Sequence, residues 1–369
     1  MTKRLRGRNS MFQNWAEVAL LVGALIGTAL ALSLVLTGLA IRRAPGLGLL
    51  DKPSERKAHS DLIPRAGGIA ISLAMAGTFL LWTDFFPWPM FANPWSTPLA
   101  ICLGILLIVG LLDDLYGLPW LPRLLIHFAL AAFFLIQQTD FAEPFSWPIL
   151  ALGIFWLALL TNAFNMIDGM DLLAGGTGFL IGGAIFLAGL FYPSDAVIWS
   201  IPLLGALAGF LFFNRPPGRI FLGEAGSTTL GFLLASLSLV VVLGQAPHWK
   251  QFPALLFLFL VPVYDLVTVV GLRLFQGKSP FKGDRQHLAH RLLGQGHSQG
   301  KTLALMFGLT IGGILSGLGI LLTDNELLMT SLLIWQSGGI VGFFLLEYTS
   351  GSLTPVSAKE AATKEPSHR

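Results

Sequence analysis

The chain has 369 residues, of which 54% are hydrophobic and only 12% are charged. Its mean hydropathy of +0.72 implies more apolar surface than one soluble core can bury, which excludes a soluble globular protein. The formal net charge of +3 gives no reason to expect a nucleic acid as a partner. The single cysteine, Cys102, excludes a disulfide framework and a thiolate zinc site.

Apolar stretches about as long as a bilayer is thick recur along the chain. They are continuously apolar, which favours helices over barrel strands, whose residues alternate. The sequence therefore predicts an all-α, polytopic integral membrane protein with about eleven transmembrane helices. The expected spans are residues 18–41, 67–86, 97–113, 122–139, 145–162, 173–192, 196–213, 226–246, 252–273, 302–323 and 327–348. We expect one transmembrane domain over residues 1–349 and a disordered tail over residues 350–369.

Basic residues indicate the orientation of these spans. After the first span, the loops at about residues 42–66, 112–123, 161–173, 213–227 and 273–301, together with the tail, hold all the Lys and Arg except Lys250. Because basic residues in short loops stay on the cytoplasmic side, we expect these loops and the C-terminus inside and the N-terminus outside. The N-terminal segment opposes this orientation, with four basic residues against six in the first of these loops.

Two adjacent acids, Asp113 and Asp114, close the third apolar span. Neighbouring carboxylates raise one another's pKa unless a metal ion or basic groups hold both ionised. The pair therefore suggests a divalent-metal site at a membrane face, with Arg123 at the start of the next span. For such a pair alone, a solvated helix end is the commoner explanation.

The loops after the fifth and seventh spans carry polar groups suited to a nucleotide. Asn165, Asp168 and Asp171 follow one another at intervals of three, so a continuing helix would present their oxygens to one side. In the next polar loop, Asn214, Phe221 and Glu224 combine an amide, an aromatic ring and a carboxylate, which suits a nucleobase and a metal-bound diphosphate. A capped helix end and a Pro-Gly turn with an incidental acid are the plainer interpretations.

The first and last polar loops are basic. Lys57 and His59 precede the Gly67-Gly68 pair that opens a helix, an arrangement that can bind phosphate, although a plain positive-inside loop has the same composition. In the loop at 273–301, a candidate phosphate-binding group consists of Arg285, His287 and His290. Within the ninth span, Pro262 should kink the helix, and Asp265 is an intramembrane acid whose partner the sequence does not reveal.

In chain order, the motifs DKPxxRKxH, GLxDD, NxxNxxDGxD, FxGExGS and SPFxxDRxHxxHR resemble those of the polyprenyl-phosphate N-acetylhexosamine-1-phosphate transferases, glycosyltransferase family 4. The resemblance runs from about Asp51 to Gly296. The eleven spans and the spaced histidines are more similar to the undecaprenyl-phosphate N-acetylglucosamine-1-phosphate transferases than to the phospho-muramoyl-pentapeptide branch. The resemblance implies transfer of a sugar 1-phosphate, GlcNAc-1-phosphate by expectation, from a UDP-sugar to undecaprenyl phosphate, with release of UMP, as the first step of a cell-envelope glycan.

The resemblance also implies roles for individual residues in a catalytic cleft on the cytoplasmic face of the bacterial inner membrane. Catalytic roles fall to Asp113, Asp114 and Asp168, and Mg²⁺, with Mn²⁺ as the alternative, would be bound by Asp114 and Glu224. Substrate-binding roles fall to Lys57, His59, Arg123, Asn165, Asp171, Asn214, Phe221, Arg285, His287 and His290. The expected partners are a UDP-N-acetylhexosamine, undecaprenyl phosphate and the bilayer, and a homodimer stays open.

Three residues depart from the family pattern. Glu224 stands where the family usually has Asp, Ala289 replaces a frequent histidine and Leu172 replaces a frequent glycine. The alternatives are a phospho-muramoyl-pentapeptide transferase-like activity and an ion-coupled transporter; an intramembrane aspartyl protease and an inactive scaffold are further rivals. Acids gathered at helix ends on one face, rather than at mid-membrane, favour the enzyme over the transporter.

Overall fold

Helices form almost all of the regular structure of this chain. The computed structural model describes residues 15–51, 62–83, 95–137, 147–192, 194, 196–243, 248–281, 283–350 and 353. Lys57 and His59 lie outside these residues. The helices are α1 (Trp15–Arg43), a short 3₁₀ helix (Ala44–Leu47), α2 (Gly67–Trp82), α3 (Ser96–Tyr116), α4 (Trp120–Ile136), α5 (Trp147–Ile167), α6 (Leu173–Phe191), α7 (Ala196–Asn214), α8 (Gly223–Leu243), α9 (His248–Leu258), α10 (Leu260–Phe275), α11 (Leu288–Gly294), α12 (Gln299–Leu322) and α13 (Glu326–Thr349).

The all-α membrane architecture is confirmed. Among the described residues, eight helices are long and apolar enough to cross a membrane, and α9 with α10 makes a ninth if the bent pair counts as one span. The apolar helices α2 and α4 are shorter, at 16 and 17 residues. Each predicted span therefore coincides with a helix or a helix pair, while the number eleven stays a prediction.

The predicted kink in the ninth span is a sharp break. The axes of α9 and α10 differ by 86°, and Phe259 separates the two helices. Pro262, in the first turn of α10, has no N–H to offer the carbonyl group four residues before it, which favours a break of the helix at this point. The break places Asp265 in α10, buried against the helices around it.

Helix α8 is the centre of the bundle. In its apolar window 94% of the residues are buried, against 17% for α1 and 11% for α13. Helices α2 and α3 both approach its first turn at backbone distance, because a Cβ on Gly68 or Gly110 would overlap the backbone of Gly226 or Ala225. Small residues at such crossings let membrane helices pack closely. These contacts fix the start of α8, where Glu224 lies.

Two short strands tie the first polar loop to the loop before α8. Strand β1 (Leu50–Asp51) pairs with β2 (Ile63–Pro64) in antiparallel fashion. Arg65 forms a parallel bridge with Phe221. The start of α2 continues this connection, since the Gly67 N–H donates to the Phe221 carbonyl oxygen at 3.0 Å. The ends of α2, α3, α5, α7 and α8 that carry the polar motifs therefore meet at one face of the bundle.

Candidate active site

The two adjacent acids at the end of α3 form hydrogen bonds with different parts of the protein. Asp113 Oδ1 accepts the Leu118 N–H at 2.5 Å, and its Oδ2 accepts from Arg123. Asp114 instead turns towards α8, where its two oxygens accept the N–H groups of Glu224 and Ala225, each at 3.1 Å. Asp114 therefore caps the N-terminus of α8, whose free N–H groups and dipole favour a carboxylate. The plainer interpretation of this pair, a solvated helix end, is wrong, because both carboxylates are buried and hydrogen-bonded.

Arg123 joins the second polar loop to α8. Its Nη1 donates to Asp113 and also, at 2.8 Å, to Glu224 Oε2. Among the described residues its buried Nε has no hydrogen-bond partner. A buried donor without a partner is costly unless a ligand satisfies it. Arg123 thus bonds two carboxylates and has one buried donor that no described residue satisfies.

Asn165 brings the end of α5 into the same group. Its Nδ2 donates to Glu224 Oε2 at 2.6 Å and to Ser227 Oγ at 3.1 Å. One oxygen of Glu224 therefore accepts from both Arg123 and Asn165. These bonds orient the Glu224 carboxylate towards the ends of α4 and α5.

Asp168 lies in the turn that follows α5, because the helix ends at Ile167 rather than continuing through the motif. Its pKa is raised well above the ordinary value, first by the loss of hydration and then by the negative charges of Glu224 and Asp114. The Gly223 N–H and the charge of Arg65 oppose this shift. Asp168 is therefore close to both predicted metal ligands.

Asp171 and Asn214 connect the turn after α5 to the turn before α8. Asp171 Oδ2 accepts the Gly218 N–H at 2.9 Å. Asn214 is buried, its Oδ1 accepts the Leu172 N–H at 2.8 Å, and its Nδ2 donates to the Ile220 carbonyl oxygen at 2.7 Å. Both side chains thus order the loops of the site, and their predicted contacts with a nucleotide stay predictions.

Leu172 has a left-handed backbone, with φ of 68°, a conformation that favours the glycine expected here from the family resemblance. A left-handed conformation costs an L-residue with a side chain about 1–2 kcal/mol. We therefore expect Leu172→Gly to be more stable than Leu172→Ala by about 0.5–1 kcal/mol, measured by thermal unfolding in detergent. At the exposed helical position Leu187 the order should reverse, with Ala better than Gly. Equal stability of the two Leu172 variants would contradict the assigned conformation.

The histidines of the last polar loop lie beside the turn that carries Asp168. His287 Nδ1 is 2.8 Å from Asp265 Oδ2, and Asp265 Oδ1 accepts the Leu288 N–H at 2.5 Å. His290 lies across from Gly169, on which an added Cβ would be 3.6 Å from His290 Nε2. Burial, followed by the charges of His287 and Arg285, lowers the pKa of His290 below its ordinary value. His287 therefore has a carboxylate behind it, and burial disfavours the charged form of His290.

Two salt bridges shape the last polar loop. Arg273 bonds both carboxylate oxygens of Asp284, at 3.0 and 3.2 Å, and Arg291 forms a buried salt bridge with Glu347 near the end of α13. Sequence reasoning missed Glu347, for which an acid inside the last apolar span was the only signal. Arg285 of the same loop is exposed.

Aromatic residues connect the last polar loop to the second. The ring of Phe281 stacks on that of Trp120 with centroids 3.8 Å apart and planes within 5°. Trp120 opens the helix that carries Arg123. The predicted contact of the Phe221 ring with uracil stays a prediction.

Arg65 is one of the basic residues that made the first polar loop a candidate phosphate-binding loop, but it was not among the predicted site residues. It forms a salt bridge with Asp51, and its Nη1 lies 3.6 Å from Asp114 Oδ1. Together with Arg123, it places two guanidinium groups among the four carboxylates of the site. The sequence showed a basic residue before the Gly67-Gly68 helix start, but it did not indicate which acid this residue meets.

The donor set of the site fits a hard divalent cation. The carboxylates of Asp113, Asp114, Asp168 and Glu224 outnumber the two guanidinium groups, and oxygen donors suit Mg²⁺ or Mn²⁺. Across the described ranges, no three His, Cys, Asp or Glu side chains already converge as a complete metal site. Arg123, which lies between Asp113 and Glu224, accounts for part of this separation.

Comparison with known proteins points to one family. The model of glycosyl transferase family 4 matches residues 96–242. A probable undecaprenyl-phosphate N-acetylglucosaminyl 1-phosphate transferase of Bacillus subtilis is 28% identical over 326 residues, which cover 85% of this chain and 86% of that protein. The undecaprenyl-phosphate alpha-N-acetylglucosaminyl 1-phosphate transferase of Escherichia coli K12 is 29% identical over 75% of this chain and 77% of its own length.

The corresponding transferase of Salmonella typhi is 30% identical over 300 residues, which cover 76% of this chain and 78% of that protein. Such a likeness extends well beyond the residues that the family model matches and includes the helices around the carboxylates. The chain therefore belongs to glycosyl transferase family 4, a family of membrane enzymes, and is similar to its undecaprenyl-phosphate N-acetylglucosaminyl 1-phosphate transferases.

Proposed function

We propose that this protein transfers GlcNAc-1-phosphate from UDP-GlcNAc to undecaprenyl phosphate and releases UMP. The observation that carries the proposal is the bridge from Arg123 to Asp113 and Glu224, with Asn165 and Asp168 alongside. It joins the motif-bearing ends of α3, α5 and α8 at one face. The relatives, whose names specify undecaprenyl phosphate and N-acetylglucosaminyl 1-phosphate transfer, support the same reaction.

In the proposed reaction, an oxygen of the lipid phosphate attacks the β-phosphorus of the nucleotide sugar. A new P–O bond forms, the bond from that phosphorus to the bridging oxygen breaks, and UMP leaves with the bridging oxygen. Two anions must come together, so positioning and charge neutralisation provide most of the catalysis. Arg123 offers its unpartnered Nε to a phosphate oxygen, and Asp113 holds its guanidinium in place.

We further propose that Mg²⁺, with Mn²⁺ as the alternative, binds at Asp114 and Glu224, with Asp168 near both. When bound, it would supply positive charge to the diphosphate oxygens. The proposed location is the bacterial cytoplasmic membrane, with the site and the C-terminus facing the cytoplasm and the N-terminus outside. Direct displacement is proposed rather than a phosphorylated enzyme intermediate.

The proposal is tested with purified protein, UDP-GlcNAc and undecaprenyl phosphate, by following UMP release and the lipid-linked sugar. We expect both products only when nucleotide sugar, lipid and divalent metal are all present. A panel with UDP-GalNAc and UDP-MurNAc-pentapeptide determines the sugar. UMP release without lipid, or a phosphorylated protein trapped from UDP-GlcNAc alone, would contradict direct transfer.

Glu224→Asp is expected to lower the Mg²⁺ concentration for half-maximal activity by about tenfold. The shorter side chain withdraws the carboxylate from Arg123 and Asn165 and brings it nearer to Asp114 and Asp168, which lie by the first turn of α8. The measurement is a metal titration of turnover. Glu326→Asp, at an exposed glutamate in the first turn of α13, is the matched control. An unchanged metal requirement would exclude Glu224 as a ligand.

A further inference from the structure

We infer that a cavity between α2, α3, α7 and α8 binds one hydrocarbon chain of a membrane phospholipid, from the leaflet on the side of the carboxylate site. The cavity has a volume of about 270 Å³. Its walls are apolar side chains and glycines, and the only hydroxyl groups in them are those of Ser72 and Thr229. The Thr229 hydroxyl already donates to the Ala225 carbonyl oxygen at 2.6 Å. Such a lining suits hydrocarbon rather than water or a polar ligand.

The cavity is closed off from the carboxylates. Towards the site its limit is the crossing where Gly68 of α2 meets Gly226 of α8, and Gly110 of α3 meets Ala225 just beyond. Both crossings are too close for a Cβ, so no chain passes between them. A lipid whose phosphate occupied the site could not extend its tail through this end, which distinguishes the occupant from the polyprenyl acceptor.

The cavity opens sideways to the membrane. Helices α2 and α3 both pack on α8 but make few contacts with each other. The gap between them is lined by the small residues Ala76 and Gly104, both exposed. An added Cβ on Gly104 would meet nothing within 4 Å. A bilayer chain can therefore enter from the side without displacing any part of the protein.

The depth of the cavity matches one leaflet. It extends along α2 from Gly68 to Phe79, eleven residues apart (79 − 68), or roughly 16 Å of helix. The hydrocarbon core of a bilayer is about 30 Å thick, so this is about half of it. The far end is closed by Phe79 and Trp199, whose rings meet edge to face at 5.2 Å, with Trp95 behind them.

A chain in this cavity would pack against α8 directly below the turn that carries Glu224. Thr229, Leu230 and Leu233 of α8 form that wall. Leu230 and Leu233 are only 5% and 2% exposed, so ordinary lipid around the protein does not reach them. Contact between a lipid chain and these residues is therefore specific to an occupied cavity.

The test is photolabelling of the full-length protein in nanodiscs of phosphatidylethanolamine and phosphatidylglycerol. A trace of phosphatidylglycerol carries a diazirine on one acyl chain, and mass spectrometry locates the adducts. We expect adducts on the α8 segment that contains Leu230 and Leu233. Gly104→Leu, which fills the cavity with its own side chain, should lower that labelling by about tenfold, because each displaced CH₂ group changes an equilibrium constant roughly fourfold.

Gly338→Leu is the matched control, because Gly338 is also an exposed helical glycine with open space around it but lies in α13. It should leave the labelling of α8 unchanged. Ala76→Leu fills the cavity from α2 and replaces Gly104→Leu if that variant fails to fold. Labelling needs no turnover, so an error in the proposed reaction leaves this result intact.

Two results would overturn the inference. Adducts confined to exposed helix faces, or equal α8 labelling in wild type and in the cavity-filling variants, would show that no chain enters. Protection of α8 by excess undecaprenyl phosphate, but not by unlabelled phosphatidylglycerol, would assign the cavity to the polyprenyl chain instead.

Discussion

Asp113→Asn is expected to lower turnover by about 10³-fold or more without lowering the thermal unfolding temperature. Asp113 Oδ1 can still accept the Leu118 N–H as an amide oxygen, but the amide NH₂ then faces the Arg123 guanidinium, donor against donor. Arg123 is no longer held at the site from this side, and the acid that would orient the lipid phosphate is lost. The measurements are single-turnover rates and thermal unfolding in the same detergent.

The stability of this variant follows from the charge of the site. Four carboxylates lie near only two guanidinium groups, and Arg123 keeps its second bond, to Glu224. Removing one negative charge relieves repulsion among the rest, as is common where activity requires an unstable arrangement. We therefore expect an unfolding temperature equal to or above that of the wild type. More than a tenth of the wild-type turnover would contradict a catalytic role for Asp113.

Asp114→Asn is the informative comparison, because it makes the same chemical change one residue away. Both oxygens of Asp114 accept backbone N–H groups at the start of α8. An amide keeps one oxygen and turns an NH₂ towards the other N–H, which should cost about 1–2 kcal/mol of stability. This variant should therefore unfold at a lower temperature, whereas Asp113→Asn should not. Equal thermal shifts in the two would refute this division of roles.

The sequence alone predicted the helices and the grouping of the polar motifs at one face of the bundle. Whether a segment is long and apolar enough to span a bilayer depends on that segment alone. Each motif stands at the end of a span, and every second loop lies on the same side of the membrane, so the motifs share one face. The different partners of Asp113 and Asp114 did not follow. Adjacent residues on an α-helix point about 100° apart, and which direction faces α4 and which faces α8 depends on how the bundle packs.

The partners of buried charges were out of reach for the same reason. Arg291 and Glu347 are 56 residues apart in the chain, and no local pattern relates them. Leu172 shows a different case: the departure from the expected glycine was visible in the sequence, but the left-handed backbone that makes this departure unfavourable was not. The metal ligands stay predictions, since Asp114 is engaged in capping α8 and Glu224 in bonds to Arg123 and Asn165.

Asp265→Asn is expected to lower turnover by about 10²-fold, because Asp265 positions His287. Asp265 is 1% exposed, and its carboxylate holds His287 Nδ1 at 2.8 Å. An ionised carboxylate there accepts a hydrogen bond from Nδ1, which leaves the Nε2 side of the ring for the substrate. The amide can offer an N–H to Nδ1 instead, which reverses the donor and acceptor sides of the ring.

Asp265 has a second contact, with the Leu288 N–H at the start of α11, so a purely structural effect must be separated from an effect through the histidine. A double-mutant cycle does this. If Asp265 acts through His287, Asp265→Asn lowers turnover about 10²-fold in the wild type but by less than about threefold when His287 is already Gln. If it only holds α11 in place, the loss is the same in both backgrounds. Because His287 is expected to contact the phosphate groups of the reacting nucleotide sugar, kcat and kcat/KM for that substrate should fall together.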